Sequence, residues 1–427
     1  MRIYFSGVGG VAIGPLARIA RDAGYDIVGS DMSHSLVTDE LEDQGISVFY
    51  DQSGEALCRE HEAAPIDWFI HTSALPADHP ELLEAQKLGI KTAKRDELLA
   101  KIITEKNLKL IAAAGTHGKT TTTGMLVWTM KQLGISVSYS VGTTLSWGPS
   151  GVYDPKSEYF VYECDEFDRN FLHFQPYASL VTNIDYDHPD TYPNEADYFS
   201  AFEQFIEQSG HVVLWKNDTE HVRIPKSAWA LAENEVEKLA LAGEHNRHNA
   251  TLAYKTLEFL GILEKYGKDR VCKVIESFPG TNRRFEKLAE NLYTDYGHHP
   301  NEIAATLQLA REILKNVVLV YQPHQNVRQH EVRELYTDCM EDAETIYWLP
   351  TYLSREDPSL EILRPEDLTN NLTNKSSVVF GELNDELWSH IQIELHKGRL
   401  VLCMGAGSID SWLREKLYAS DYHRYRQ

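Results

Sequence analysis

Between Leu110 and Thr121 the chain runs Leu-Ile-Ala-Ala-Ala-Gly-Thr-His-Gly-Lys-Thr-Thr, an apolar strand that enters a glycine turn and opens a helix. A strand with no polar face needs cover on both sides, which points to a parallel sheet with helices packed above and below. The turn between them aims backbone N–H groups outward, and the helix N-terminus adds a field that favours anions. A polyphosphate is the ligand such a loop is built for. Lys119 then reaches the β- and γ-phosphates, and the Thr120 hydroxyl is a ligand for Mg²⁺. One departure stands out: the first glycine of the general pattern G-x-x-x-x-G-K-[ST] falls on Ala113.

The same strand–turn–helix rhythm recurs along the chain in three blocks, predicting an α/β protein with parallel sheets. The expected domains are residues 1–106, a Rossmann-like domain; 107–279, a central ATP-binding domain of the phosphate-loop type; and 280–427, a second Rossmann-like domain. In the first block strands are predicted at Arg2–Phe5, Asp26–Gly29 and Trp68–His71, with a helix at Pro80–Leu88. In the second they fall at Lys109–Ala114, Tyr159–Glu163, Ala178–Ile184 and His211–Trp215, with helices at 118–133, Glu195–Gln208 and Asn246–Leu260. The third has strands near Asn291–Thr294, Val317–Tyr321, Thr345–Trp348, Ser377–Phe380 and Leu400–Met404, and a helix over Pro300–Leu314. The polar stretch Thr104–Asn107 reads as a linker, and it and Pro279–Thr281 are the expected hinges.

Composition removes several functions. Acidic residues number 64 against 41 basic ones, a net charge of −23, which argues against a general nucleic-acid binder. No apolar run reaches the ~20 residues of a membrane span, and the N-terminus lacks a secretory h-region. Five cysteines without metal-ligand spacing fit a reduced, cytoplasmic protein.

Two strand ends add chemistry to the loop. Tyr159-Phe-Val-Tyr-Glu163 finishes in a carboxylate, the place from which Mg²⁺ is held beside a phosphate loop. Asp165, Glu166 and Asp168 just beyond it read as a solvated acidic turn. Ala178–Ile184 leads into Asn183, Asp185, Asp187 and His188, where oxygen ligands are the usual choice for a second Mg²⁺ and His188 is as plausible a ligand as a bystander. Near the N-terminus, Gly7-Val-Gly9-Gly10-Val-Ala12-Ile-Gly14, followed by Gly29-Ser-Asp31, approximates a dinucleotide fingerprint. Ala12 occupies a glycine position, so the pattern suits a pyrophosphate more broadly, including that of a nucleotide sugar.

Taken in order, these strings resemble the Mur ligases, most closely those that add L-alanine to UDP-N-acetylmuramate. The resemblance runs over nearly the whole chain. It includes the Gly7–Gly14 loop, Gly115–Thr123, Glu163–Asp168, Val181–His188, Gly243-Glu-His245-Asn246-Arg-His-Asn249-Ala250, Arg283-Arg284-Phe285-Glu286, Asp295-Tyr296-Gly297-His298-His299-Pro300, Gln322-Pro-His324 and Gly405-Ala-Gly407. It implies three domains and the following roles. Gly115, Thr116, His117, Gly118, Lys119, Thr120 and Thr121 bind ATP, with His245, Asn246 and Asn249 at the adenine and Arg284 and Asp295 contributed from the third domain. Thr120, Glu163 and His188 hold two Mg²⁺ ions, for which Mn²⁺ can substitute. Gly7, Gly9, Gly10, Asp31 and Ser73 bind the UDP-sugar. Tyr296, His298, Gln325 and Arg328 bind the amino acid, and Lys119, Arg284 and His298 are the catalytic groups.

The implied reaction is ATP-driven amide formation in peptidoglycan precursor synthesis, with UDP-N-acetylmuramate and L-alanine as substrates. Gln325 departs from the family, whose alanine-adding members carry an arginine there; a neutral amide cannot form the bidentate, charge-assisted pair. That keeps open a related ligase attaching a preformed peptide to UDP-N-acetylmuramate. A nicotinamide-dependent oxidoreductase has no use for the Gly115–Thr121 loop, and a nucleotide-binding regulator has little use for so many metal-binding groups.

Overall fold

The computed structural model describes residues 1–10, 13–72, 75–188, 191–354 and 356–424. It contains three sheets. The first consists of β1 (Arg2–Ser6), β2 (Asp26–Ser30), β3 (Ser47–Phe49), β4 (Trp68–His71) and β5 (Lys91–Lys94), all parallel, in the order β3-β2-β1-β4-β5. The second contains β6 (Lys109–Ala114), β7 (Val137–Ser140), β8 (Gly151–Val152), β9 (Tyr159–Glu163), β10 (Ala178–Val181), β11 (Val212–Trp215) and β12 (Trp229–Leu231), ordered β12-β11-β10-β6-β9-β7-β8. Among the described residues only β7–β8 pairs antiparallel in it. The third runs β13-β14-β18-β15-β16-β17, from β13 (Glu286–Ala289), β14 (Leu292–Asp295), β15 (Val317–Tyr321), β16 (Thr345–Trp348), β17 (Val378–Phe380) and β18 (Leu400–Met404), with β13 antiparallel to β14.

Most inner strands are where the sequence expects them, because burial on both faces demands unbroken apolar runs; β10 stops at Val181, short of the expected Ile184. Ile3, Tyr4 and Phe5 of β1 are sealed from solvent, as are Val317 to Tyr321 of β15. In the third sheet the two faces alternate with period two. Leu319 and Tyr321 join one core with Leu307, Trp348 and Leu402, while Val318 and Val320 join another with Ile391, Val401 and Leu413. The strands absent from the sequence reading are β3, β5, β7, β8, β12 and β13, and each lies at a sheet edge or next to one. Edge strands need little apolar surface, and Lys91-Thr-Ala-Lys94 shows none of the run that marks an inner strand.

The chain divides into two compact units, one made of residues 1–239 and 248–279, the other of 240–247 and 280–427. In the first unit two sheets share one core. Leu98, Leu99 and Ile102 pack in the same cluster as Ile3 and Phe5 of the first sheet and Leu110, Phe160 and Val181 of the second. Thr104 and Glu105, expected in a linker, are the last turn of the helix Arg95–Glu105 that carries these leucines. Polar contacts reinforce the junction: Lys94 pairs with Asp168, Arg95 with Asp96 at 3.0 Å and with Asp165 at 3.6 Å, and the Tyr162 hydroxyl donates to Asp96 at 2.5 Å.

Leu99 is 3% exposed in this shared core. Leu99→Ala is expected to cost about 2–5 kcal/mol, and hydrogen exchange should show β1 and β6 losing protection together. Loss confined to β1 would mean that the two sheets unfold independently.

Candidate active site

In the second sheet β6 lies between β9 and β10, so three strand ends open side by side at its carboxyl edge. Ala113 pairs with Glu163 on one flank and with Leu180 on the other. Ala113, the departure from the general loop pattern, is inside β6 and fully buried. The turn therefore starts at Gly115. Gly115 has φ +128°, and a Cβ there would fall 2.1 Å from Thr182 Oγ1, so no side chain fits. Gly118, at φ +84°, immediately precedes the helix Lys119–Gln132; a Cβ on it would meet Asn249 Oδ1 at 2.7 Å. Asn249 is thus seated against the loop.

The segment following β10 clamps the turn. Asn183 accepts from the His117 N–H at 3.0 Å and donates to the His117 carbonyl at 3.1 Å, while the Asn183 carbonyl takes the Thr116 N–H at 3.0 Å. The Thr116 hydroxyl donates to the Asp185 carbonyl at 2.7 Å. Thr121 follows in the first turn of the helix.

Lys119 Nζ donates to the carbonyls of Gly115 (2.6 Å) and Thr116 (3.1 Å) and to both oxygens of Glu166 (3.0 and 2.7 Å). Burial alone would lower the lysine, but the charges of Glu166 and Asp165 outweigh it and hold Lys119 protonated. Glu166 is 1% exposed, which corrects the expectation of a solvated acidic turn. A carboxylate at that depth requires a cation, and Lys119 supplies it. Asp165 and Asp168 are not free either: their partners are Arg95 and Lys94. No pattern in the sequence separates Glu166 from its neighbours, because the backbone at Asp168 and Arg169 takes left-handed angles that break the local periodicity.

Thr120 Oγ1 donates to Glu163 Oε1 at 2.8 Å, and Glu163 Oε2 accepts the Gly142 N–H at 2.9 Å. This pair of hard oxygen ligands suits Mg²⁺. His188, at φ +59°, directs Nε2 toward Glu166 Oε1 at 3.6 Å. A cavity of about 190 Å³ adjoins Glu163, lined also by Arg95, Leu99, Ser140, Gly142 and Asp165. Arg95 was not among the sequence candidates; it opens a helix on the first sheet's side and lies outside every phosphate motif in the sequence.

In the first sheet Gly9 donates its N–H to Asp31 Oδ2 at 2.7 Å, while the N–H groups of Gly7 and Val8 go to the Ser30 carbonyl and that of Gly10 to the Gly7 carbonyl. Asp31 therefore braces the loop. Ser73, Val11 and Ala12 lie outside the described residues.

In the second unit His245 and Asn246 start the helix Glu244–Phe259, and Asn246 donates back to the Ala242 carbonyl at 3.0 Å. Arg247 forms a two-bond pair with Glu312, 2.9 Å each, which fixes the segment against the helix Pro300–Ile313. Asp295 is 6% exposed and accepts N–H groups from Phe285 and Gly297, both at 2.7 Å. Burial pushes it up to about 6, against the pull of Arg284. Its carboxylate shapes the turn that carries Arg284. The Arg284 guanidinium lies 5.1 Å from the Tyr296 ring centre and 3.8 Å from Glu302.

Tyr296 packs edge-on against His298 at 5.6 Å, and His298 against His324 at 5.7 Å. Burial pushes His298 down to about 4; Glu302 opposes this and Arg328 adds to it. The imidazole is therefore neutral at pH 7, and the same burial makes it a weak base. Gln325 and Arg328 stand at the start of the helix Asn326–Val332. Gln325 takes φ +60°, unusual for a residue with a side chain, and its N–H donates to the Tyr352 carbonyl at 2.8 Å.

Comparison with known proteins bears on the chain as a whole. Residues 2–107 match the family described as Mur ligase family, catalytic domain; 113–259 match the Mur ligase middle domain; 283–407 match the Mur ligase, glutamate ligase domain. The UDP-N-acetylmuramate–L-alanine ligase of Carboxydothermus hydrogenoformans is 30% identical over 96% of this chain and 95% of its own length. That of Fusobacterium nucleatum is 30% identical over 97% and 96%. The crystal structure of UDP-N-acetylmuramate–alanine ligase from Thermotoga maritima superimposes with a TM-score of 0.75 at 25% identity, covering 99% of this chain and 100% of that one. A murein peptide ligase from Psychrobacter arcticus shares the fold, with a TM-score of 0.63 at 20% identity over 98% of each chain. With three family domains matched in order along nearly its full length, the chain belongs to the Mur ligase family.

Proposed function

We propose that this protein joins L-alanine to the carboxylate of UDP-N-acetylmuramate at the expense of ATP, in the cytoplasm, as a step of peptidoglycan precursor synthesis. The observation that carries the reading is the phosphate loop with Lys119 at its centre and the Thr120–Glu163 oxygen pair beside it. Relatives aligned over the full length bear the name of this ligase. No helix among the described residues is long and apolar enough to cross a membrane.

The chemistry follows from bringing anions together. The donor carboxylate attacks the γ-phosphate, giving an acyl phosphate and ADP; the amine then attacks the carbonyl and phosphate leaves. Lys119 and Arg284 balance the charge that develops on the transferred group. Thr120 and Glu163 hold one Mg²⁺ and His188 contributes to a second; bound there, the ions neutralise phosphate charge. The proton released as the amine becomes an amide falls to His298 or a neighbouring group. Arg95, beside Glu163, is a cationic partner for the acyl donor in the adjoining cavity. Arg328 holds the carboxylate of the amino acid, and Gln325 offers a neutral hydrogen bond where an arginine is usual.

Phosphate release from ATP should require UDP-N-acetylmuramate and L-alanine together. Lys119→Ala is expected to lower kcat by about a hundredfold or more and, because it leaves Glu166 buried without its cation, to lower the thermal midpoint as well; activity within tenfold of wild type would remove the phosphate-loop assignment. Turnover should stop in excess EDTA and return with Mg²⁺ or Mn²⁺, and full activity in EDTA would contradict the metal assignment. Arg328→Ala should raise the KM for L-alanine, while Gln325→Arg should lower it by about tenfold, since a charge-assisted bond replaces a neutral one. If single amino acids fail and the L-alanyl-γ-D-glutamyl-diamino acid peptide turns over, the peptide-attaching reading replaces this one.

A further inference from the structure

A buried hydrogen-bond chain in the second unit joins the two backbone segments that carry His298 and His324. Tyr321 Oη lies 3.0 Å from the His298 carbonyl and 2.9 Å from Tyr336 Oη. Tyr336 Oη lies 2.7 Å from Gln329 Oε1, and Gln329 Nε2 donates to the His324 carbonyl at 3.0 Å. Tyr321, Tyr336 and Gln329 are all fully buried, so no solvent stands in for a missing partner. The orientation of the Gln329 amide is set by its far end: only the NH₂ can face a carbonyl.

That orientation makes the proton count uneven. Three oxygen–oxygen contacts link the His298 carbonyl, the two hydroxyls and Gln329 Oε1, yet the two tyrosines own only two protons, and both ends of the chain accept only. If the protons run toward Gln329, the His298 carbonyl lacks a donor. If they run toward His298, Gln329 Oε1 lacks one; if each tyrosine serves its own end, the contact between the two hydroxyls has no proton.

We propose that Gln329, Tyr336 and Tyr321 are positioning residues for the amino-acid acceptor, setting the separation of the His298 and His324 segments through their backbone carbonyls. None of the three touches substrate in this account. The inference rests on the reading of His298 and Arg328 as the acceptor site, and it adds that the site's width is fixed from behind by a strut with one proton fewer than its contacts. Removing the Tyr321 hydroxyl takes away the His298 donor in each arrangement that supplies one. Removing the Tyr336 hydroxyl leaves Tyr321 free to donate to His298 permanently, so its effect is the smaller.

The test is steady-state kinetics of the full-length protein with L-alanine, ATP and UDP-N-acetylmuramate, together with thermal unfolding. Tyr321→Phe and Gln329→Leu are expected to raise the KM for L-alanine by about fivefold to tenfold, with the KM for ATP within twofold of wild type and a smaller rise in Tyr336→Phe. Arg328→Ala serves as the reference. If Arg328→Ala raises the L-alanine KM while Tyr321→Phe and Gln329→Leu leave it within twofold, the strut is overturned and the acceptor-site reading stands. If Arg328→Ala leaves it unchanged as well, the acceptor-site reading falls and takes the strut with it. A parallel rise in both KM values with a lowered thermal midpoint would reduce the three residues to core packing and overturn the proposal. Tyr→Phe keeps the ring volume, so that pair of variants preserves the packing if Gln329→Leu does not fold.

Discussion

Parallel hydrogen bonding on both flanks of β6 sets Ala113 opposite Glu163 and Leu180 and thereby decides where the chemistry sits. The glycine turn, the Glu163 carboxylate and the Asn183 clamp come from three stretches of chain, and the register delivers all three to one carboxyl edge. A slip of one residue in β9 would turn Glu163 to the opposite face of the sheet and separate it from Thr120. Ligand sites at such adjacent strand ends are a general property of open α/β sheets, and this chain reinforces its own with side-chain bonds from Thr116 and Asn183.

Electrostatics shape what that edge can do. The chain carries a net charge of −23, and in the reading proposed above two of its substrates, ATP and UDP-N-acetylmuramate, are anions. Attraction must therefore be local. Lys119 is held by Glu166, and Arg284 faces Glu302. The Glu166 charge keeps Lys119 charged and in place where burial would otherwise discharge or expel it. In the reading proposed above, phosphate oxygens compete with Glu166 for Lys119, so the same contact that stabilises the loop sets what nucleotide binding must displace. His298 follows the opposite logic: burial keeps it neutral and opposes its taking up a proton.

The inner strands and the phosphate loop were legible in the sequence because their physics is local. An apolar run, a glycine that needs positive φ and a helix opening with Lys and Thr are adjacent in the chain, and Glu163 marks its strand end directly. The resemblance to the Mur ligases supplied roles for His245, Asn246, Arg284 and Tyr296 that their spacing alone does not carry. Edge strands such as β5 and β12 were not legible, since hydrogen bonding to a single neighbour asks little of side-chain pattern.

What the sequence determined by itself is the class of the fold, the loop at Gly115–Thr121 and the membership of the family. What only the tertiary structure decided is which polar groups are buried and with whom. Glu166 reads like its neighbours Asp165 and Asp168 until the chain folds it onto Lys119; Arg95 meets the Glu163 cavity from another sheet; and Gln329 reaches His298 only through two tyrosines. The reason is physical. A strand or a turn is specified by residues within a few positions of one another, whereas burial raises the cost of an unpaired charge or proton acceptor, and the partner that meets that cost is chosen by packing between segments distant in the chain.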